Sequence, residues 1–352
     1  MSLYTNLPKN YFGNLYKNIH LSILRENNSL VSFLSGTGQS IFVSFLAYNL
    51  KNDLNKDYEF LTFSLDLEKK PIKLVKDFLE KKPNKKKIII FTIDKKPKKR
   101  ERRIIGSFSK LSVFYSGKAV FIAITRDYGI TNPLIYMPAY RPFFRDFYHF
   151  TYFPKESFSK FIDYTCSYYN YSRPKKEEEA ILYQLSGGIA RLSKYILRAR
   201  SLYDLNLNSL NLDANTFYLL TEYPVMKHYL NLLLKMLYTF NKGDLGKLSL
   251  IDKKGNIRPK LLSLYVKKYT HPYVQENFSH LTESEQKILS LFYLRVGKVV
   301  SIDKIAQVLN MNDYNFSLFA VYKLISRLRK KIIQKAKIKT LRGRGYILEK
   351  ID

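Results

Sequence analysis

Between residues 30 and 150, short apolar runs alternate with helix-length stretches. The runs are Leu30 to Leu34, Phe60 to Leu65, Ile88 to Ile93 and Ala119 to Thr125. Each is β-branched or aromatic and ends at polar residues or glycine. Such runs, spaced by helices, predict a parallel α/β sheet. From 155 to 203 the pattern becomes helical. Ile181, Leu182 and Leu185 precede a break at Gly187-Gly188, and Ile189, Leu192, Tyr195 and Ile196 follow at the spacing of an amphipathic helix. Segment 216–269 holds two apolar helical patterns, Tyr229 to Phe240 and Pro259 to Tyr269. Between them Lys253-Lys254-Gly255-Asn256, flanked by Leu250-Ile251 and Ile257, predicts a hairpin between two short strands. Helix, hairpin, helix suggests a small winged-helix-like unit. Residues 270–280, with His271-Pro272, predict a linker.

The last seventy residues are patterned most sharply. Thr282 and Glu285 form a capping-box pair. Leu281, Ile288, Leu289, Phe292 and Leu294 give the helix after it an apolar face, and Gly297 ends it. Val299-Val300 is a short extended piece. Ser301 caps a second helix, Asp303 to Leu309, with Ile302, Ile305, Ala306 and Leu309 inward. A third helix, Phe316 to Lys335, has Phe319, Val321, Leu324, Ile325, Leu328 and Ile332 as its apolar set. Lys323, Arg327, Arg329, Lys330 and Lys331 lie on the opposite face. Ile338 to Leu341 and Tyr346 to Leu348 then flank Arg342-Gly343-Arg344-Gly345, a hairpin with a basic tip. Three short helices and a basic hairpin are the winged-helix plan. Its third helix fits the major groove, about 12 Å wide, and the hairpin reaches the adjacent backbone or minor groove.

A second motif sits near the start. Ser35-Gly36-Thr37-Gly38-Gln39-Ser40 follows an apolar strand and opens an apolar helix, Ile41 to Leu50. This is the setting of a phosphate loop, where backbone N–H groups and a helix N-terminus hold anions. Gln39 stands where such a loop carries lysine, and Phe33 where it carries its leading glycine. The alternative, which the residues favour, is that Gly36 and Gly38 only make a tight strand-to-helix turn. Asp94 ends the third apolar strand, where an aspartate would hold a metal ion. Lys95 occupies the next position, commonly a water-activating glutamate. Arg126 ends the fourth strand. Leu185-Ser186-Gly187-Gly188-Ile189-Ala190-Arg191 has the form of a Gly-rich start to a lid helix.

Two resemblances follow from these residues. The segment with Leu281-Thr282-Glu283-Ser284-Glu285, Gly297 to Ser301, Ile325 to Ile332 and Ile338 to Leu348 resembles the DNA-binding domain of OmpR/PhoB-type transcriptional regulators. That resemblance implies that Lys323 and Arg327 face base edges or nearby phosphates, that Arg329 and Lys330 anchor the backbone, and that Thr340, Arg342 and Arg344 serve the wing. The small sheet that the family usually places before its first helix has no counterpart in 270–280. Residues 30–270 resemble the STAND branch of AAA+ ATPases, with an α/β core, a helical lid and a winged helix. That resemblance implies nucleotide-site roles for Gly36, Thr37, Gly38, Gln39, Ser40, Asp94 and Arg126. With Gln39 for lysine and Lys95 for glutamate, two main parts of phosphoryl transfer are missing, and no useful ATP hydrolysis is expected.

The predicted architecture is therefore an α/β parallel-sheet P-loop-like domain (1–150) with a helical lid (151–208), followed by two winged-helix domains (209–270 and 281–352) joined by a linker (271–280).

Composition sharpens the partner. The 352 residues carry a net charge of +31, a field that draws polyanions. Part of the lysine excess is also what an AT-rich genome produces. The runs Lys81-Lys82, Lys85 to Lys87 and Lys95 to Arg103 read equally as phosphate contacts or solvated loops. A cluster of tyrosines around Cys166 (148, 152, 164, 168, 169 and 171) reads as core or interface packing before a platform for single strands. The single cysteine, the lack of an apolar spanning run and the absence of a signal-peptide pattern at the start predict a cytoplasmic protein. The five histidines are scattered, and no metal site is expected. The expected partner is double-stranded DNA, with no membrane, and a homo-oligomer is left open. No cofactor is required on this reading, with ATP as the open alternative. Three functions compete: a DNA-binding transcriptional regulator, an active AAA+-type ATPase acting on DNA, and a scaffold whose winged helices bind proteins.

Overall fold

The computed structural model describes residues 7–82, 84–94, 96–131, 143–205, 207, 209–239, 242–295, 298–311, 317–333 and 336–350. The chain divides into two compact units, 1–209 and 210–352.

The first unit runs α1 (Leu15–Leu24), β1 (Ser29–Phe33), α2 (Gln39–Leu54), β2 (Tyr58–Ser64), α3 (Pro71–Glu80), β3 (Lys86–Ile93), α4 (Lys99–Phe114), β4 (Ala119–Thr125), α5 (Asp127–Thr131) and β5 (Asp146–Phe150). Three helices follow: α6 (Lys155–Tyr169), α7 (Lys176–Ser186) and α8 (Ala190–Tyr203). The strands form one sheet in the order β2-β3-β4-β1-β5, and every pair is parallel. β1 and β4 are buried along their whole length. That is the signature of central strands covered on both faces, and it explains their unbroken apolar runs. On one face Val75 and Leu79 of α3 and Ile104, Ile105 and Phe108 of α4 pack on Phe91 and Phe121. Elsewhere in the unit Phe12 meets Phe42, Phe45 and Phe150 at ring separations of 5.0–5.3 Å. This contact ties the N-terminal segment to α2 and the β5 edge.

β5 escapes the sequence pattern. Asp146-Phe147-Tyr148-His149-Phe150 mixes polar and aromatic residues, because an edge strand meets solvent along one side. Tyr168 and Tyr169 are exposed and take no part in the core. Tyr169 lies under the Lys194 ammonium, 4.1 Å from its ring centre.

The second unit contains α9 (Ala214–Glu222), α10 (Pro224–Thr239), α11 (Lys242–Lys247), α12 (Lys260–Asn277), α13 (Glu283–Leu294), α14 (Ile302–Val308), α15 (Leu318–Ile332), β6 (Ala336–Leu341) and β7 (Gly345–Lys350). Two expectations are corrected here. The turn at 252–256 is present, but a single bridge, Ile251 to Ile257, closes it instead of paired strands. The side chain and backbone of Asn256 bond Asp252, so the turn is held locally. A two-stranded wing is therefore not formed within 209–270 among the described residues. The linker expected at 270–280 is for the most part the end of α12, which continues through Pro272 to Asn277. Proline removes one helical hydrogen bond and crowds the preceding turn. Packing compensates: the rings of Tyr238, Tyr273 and Tyr293, from α10, α12 and α13, lie 4.5–6.2 Å apart in one cluster.

The capping box forms as the sequence predicts. Thr282 Oγ1 accepts from the Glu285 N–H, and Glu285 Oε2 accepts from the Thr282 N–H at 2.8 Å. Leu294, expected inward, is exposed at the helix end, and Gly297 lies outside the described residues. Val300 pairs with Tyr346 in both directions, at 2.7 and 2.9 Å, and so adds a third edge to the β6–β7 hairpin. Among the described residues no helix is long and apolar enough to cross a membrane, and no group of histidine, cysteine and acidic side chains could hold a metal ion.

Gly345 makes the Val300 pairing sterically feasible. Its φ is +121°, and a Cβ there would sit 2.2 Å from Val300 O. A Gly345→Ala substitution is expected to destabilise the second unit by about 1–3 kcal/mol, read as a lower denaturant midpoint. An unchanged midpoint would show that this pairing does not support the hairpin.

Candidate nucleic-acid interface

The third helix of the C-terminal domain is sharply two-faced. Val321, Ile325, Leu328 and Ile332 are buried. Lys323, Arg327 and Lys330 are exposed on the opposite face at the spacing that keeps one side of a helix outward. Ser317 caps the helix by accepting from the Ala320 N–H. Phe316 and Lys335, the expected ends of this helix, lie outside the described residues, as does most of the preceding loop.

The remaining sequence-predicted contacts have work inside the domain. Arg329 donates Nε to Ile338 O at 2.9 Å and Nη2 to Thr340 Oγ1 at 2.5 Å, and its guanidinium lies over the Tyr346 ring. This side chain braces α15 against the hairpin, and Thr340 is its partner. Lys331 bonds Glu285 Oε2 at 2.7 Å, on a carboxylate only 1% exposed. Arg329, Thr340 and Lys331 thus link α15 to the hairpin and to α13. Arg342 and Arg344 are exposed at the hairpin tip, where Arg344 N–H closes the turn on Leu341 O.

Phe319, read from sequence as part of the apolar face, is 74% exposed, and Tyr322 is 46% exposed. The error is one of helical phase. Phe319 is two residues before Val321, and two residues are about 200° of turn, so the two lie on nearly opposite sides.

In the first unit a tight strand-to-helix turn stands where the sequence places the phosphate loop. β1 leads through Gly36 (φ +90°) and Gly38 (φ +99°) into α2. The side chains are engaged with one another. Gln39 Nε2 donates to Asp94 Oδ1 at 3.3 Å, Arg126 Nε donates to Gln39 Oε1 at 3.2 Å, and Arg126 pairs with Asp94 at 3.5 Å. The structure thus brings these three predicted residues together. Thr37 is buried, and its hydroxyl donates to Leu34 O at 2.7 Å, with Phe150 O at 3.1 Å. Ser40 is exposed on the first turn of α2, and Lys95 lies outside the described residues. Arg191, at the start of α8, lies against Gly36, where a Cβ would meet its side chain at 2.6 Å.

Sequence reading missed Asp127, which accepts from both the N–H and the hydroxyl of Ser35 at 2.6 Å. Burial pushes its carboxyl above the ordinary range, against the pull of those two bonds. Its place directly after Arg126, at the end of an apolar strand, was the available signal.

The lysine runs divide in the same way. Lys82 and Lys87 pair with Glu59 at 2.9 and 2.6 Å, and Lys86 pairs with Glu26 at 2.8 Å. Lys87 and then Lys82 hold the Glu59 carboxyl down to about 2. Lys96, Lys98, Lys99, Arg102 and Arg103 are exposed around the start of α4.

A helix with one apolar and one cationic face, braced on a hairpin with a basic tip, defines a winged-helix DNA-binding domain. Residues 275–348 match the family described as transcriptional regulatory protein, C terminal, and the domain is of the OmpR/PhoB type. The first unit is a parallel α/β sheet whose loop strand β1 lies between β4 and the edge strand β5. Solved structures similar along the chain are distant. A single-substitution RuvB variant from Thermotoga maritima is 11% identical, covering 97% of this chain and 92% of that one, with a TM-score of 0.39. Aeropyrum pernix ORC2 in ADPNP–ADP complexes is 9% identical, covering 95% and 88%, with a TM-score of 0.41. A Walker-type ATPase of Pyrococcus abyssi is 12% identical, covering 99% and 97%, with a TM-score of 0.40. No curated protein matches the chain.

Burial alone would raise the Glu285 carboxyl, but bonds from Lys331 and the Thr282 N–H bring it below the usual range. A carboxyl lowered by folding contributes stability above its unfolded value, about 4.3, and loses it as pH falls through the folded value. A Glu285→Gln variant is therefore expected to be less stable than wild type at pH 7, with the gap narrowing below about pH 4. Denaturant titrations at pH 7, 5 and 3.5 check this, and a gap independent of pH would refute the linkage.

Proposed function

We propose that this protein is a cytoplasmic DNA-binding transcriptional regulator, with α15 in the major groove and the 338–348 hairpin on the adjacent backbone or minor groove. The observation that carries this reading is the outward face of α15. Lys323, Arg327 and Lys330 share it, and the helix has no acidic residue. On this reading Lys323 and Arg327 read base edges, while Lys330, Arg342 and Arg344 contact phosphates and set register. A homo-oligomer reading paired half-sites fits the same geometry.

On the same reading the AAA+-like unit senses or assembles rather than hydrolyses ATP. Phosphoryl transfer needs a cation on the outer phosphates and a carboxylate available to magnesium. Gln39 supplies no charge, and Asp94 already faces Arg126. These contacts support a site that is satisfied without nucleotide. The second reading is an AAA+-type ATPase acting on DNA, favoured by the parallel sheet and the loop backbone.

Selection of the full-length protein on random duplexes is expected to enrich one motif. The Lys323→Ala/Arg327→Ala double variant should lose that preference by roughly 1–3 kcal/mol per base contact. The Arg342→Ala/Arg344→Ala variant should keep the motif while its log–log salt slope falls by about two, at ~0.9 per phosphate. Equal affinity for all duplexes with no effect of the double variant would rule the regulator reading out. In ATP turnover, wild type is expected to match an Asp94→Ala control; turnover above that control supports the ATPase instead.

A further inference from the structure

Buried residues of α15 define its inward side, and the outward stripe then runs Phe319, Lys323, Ser326, Arg327 and Lys330, spaced 4, 3, 1 and 3 residues apart. Tyr322, three residues after Phe319 and 46% exposed, borders this stripe. Two aromatic rings and Leu318 therefore stand in solvent at the start of a helix whose further outward groups are cations and one serine. Phe319 is 74% exposed and belongs to no buried core among the described residues. Exposed apolar surface rimmed by polar groups marks a contact surface. The rim here is cationic, so the partner is a polyanion that also offers apolar spots.

Duplex DNA offers one such group in the major groove, the C5-methyl of thymine, and phenylalanine is among the side chains that contact it. The first residues of a recognition helix are those that reach base edges, and Phe319 is the second residue of α15. Ser317, just ahead of it, is occupied in capping. Lys323 and Arg327, one and two turns on, can take neighbouring base edges or phosphates.

We propose that Phe319, with Tyr322 beside it, reads thymine methyl groups, so that the preferred site carries thymine at one or two adjacent positions under the first turn of α15. This rests on the DNA-binding reading above and adds the chemistry by which the site is chosen.

The test uses the full-length protein and its selected duplex, with each thymine replaced singly by deoxyuridine, which removes only the methyl. Burying one methyl corresponds to about a three- to fivefold change in affinity. Wild type is expected to lose that factor at one or two adjacent positions. Phe319→Ala should bind more weakly and become indifferent to uracil there, while Phe319→Leu keeps part of the discrimination. Phe319 is exposed, so neither substitution opens a core, and an unchanged circular dichroism spectrum checks this. Indifference of wild type to uracil everywhere, with preference still lost in Lys323→Ala/Arg327→Ala, overturns methyl reading and leaves DNA reading standing. A pool from which no motif is enriched overturns both. Unchanged DNA binding by Phe319→Ala together with altered self-association also overturns the proposal, because the ring would then serve a protein contact.

Discussion

The geometry of the C-terminal domain depends on where the Arg329 guanidinium is held. Its planar fork spans from α15 to the β6 backbone and the Thr340 hydroxyl, while its face rests on Tyr346. Arginine suits this position because its donors are fixed in one plane and can stack at the same time, which lysine cannot do. The second strand of the hairpin is then tied through Tyr346 to Val300, ahead of α14. Helix and wing are thus set at a fixed angle by polar contacts, although neither has an extensive core of its own. The same brace explains why the charged residues of α15 divide into two groups. Those nearest the hairpin or α13 hold the domain together, and those facing away are left for a partner.

The first unit shows a comparable economy. Its loop keeps the two positive-φ glycines that an anion-binding turn needs, but the groups around it are turned toward each other. Arg126 places a positive charge among Gln39 and Asp94, and Asp127 takes the Ser35 N–H that a phosphate-binding loop could otherwise offer. The backbone of such a loop is set by strand-to-helix geometry, and changes at the chemical positions leave that geometry intact.

Most of the architecture was legible in the sequence because buried strands and capped helices leave strong local marks. β4 was found residue for residue, and the Thr282–Glu285 box marked the start of α13. The misses have a common cause, which is that local pattern does not report what lies alongside. β5 carries no apolar alternation and is a strand because β1 offers it an edge. Phe319 looked like core until the buried phase of α15 was known. The charges of Arg329 and Lys331 are visible in sequence, but their partners within the domain, Thr340 and Glu285, are 11 and 46 residues away.

The continuation of α12 through Pro272 has a mechanical consequence. A flexible tether would let a DNA reader swing, and that freedom would be lost again at every binding event. Here α12 ends against α13, and three tyrosines from α10, α12 and α13 share one cluster. The orientational cost is met once, as the chain folds. The α9–α12 module is then a fixed extension of the reader. Whatever grips that module takes hold of the recognition helix as if by a handle, and turns it without slack.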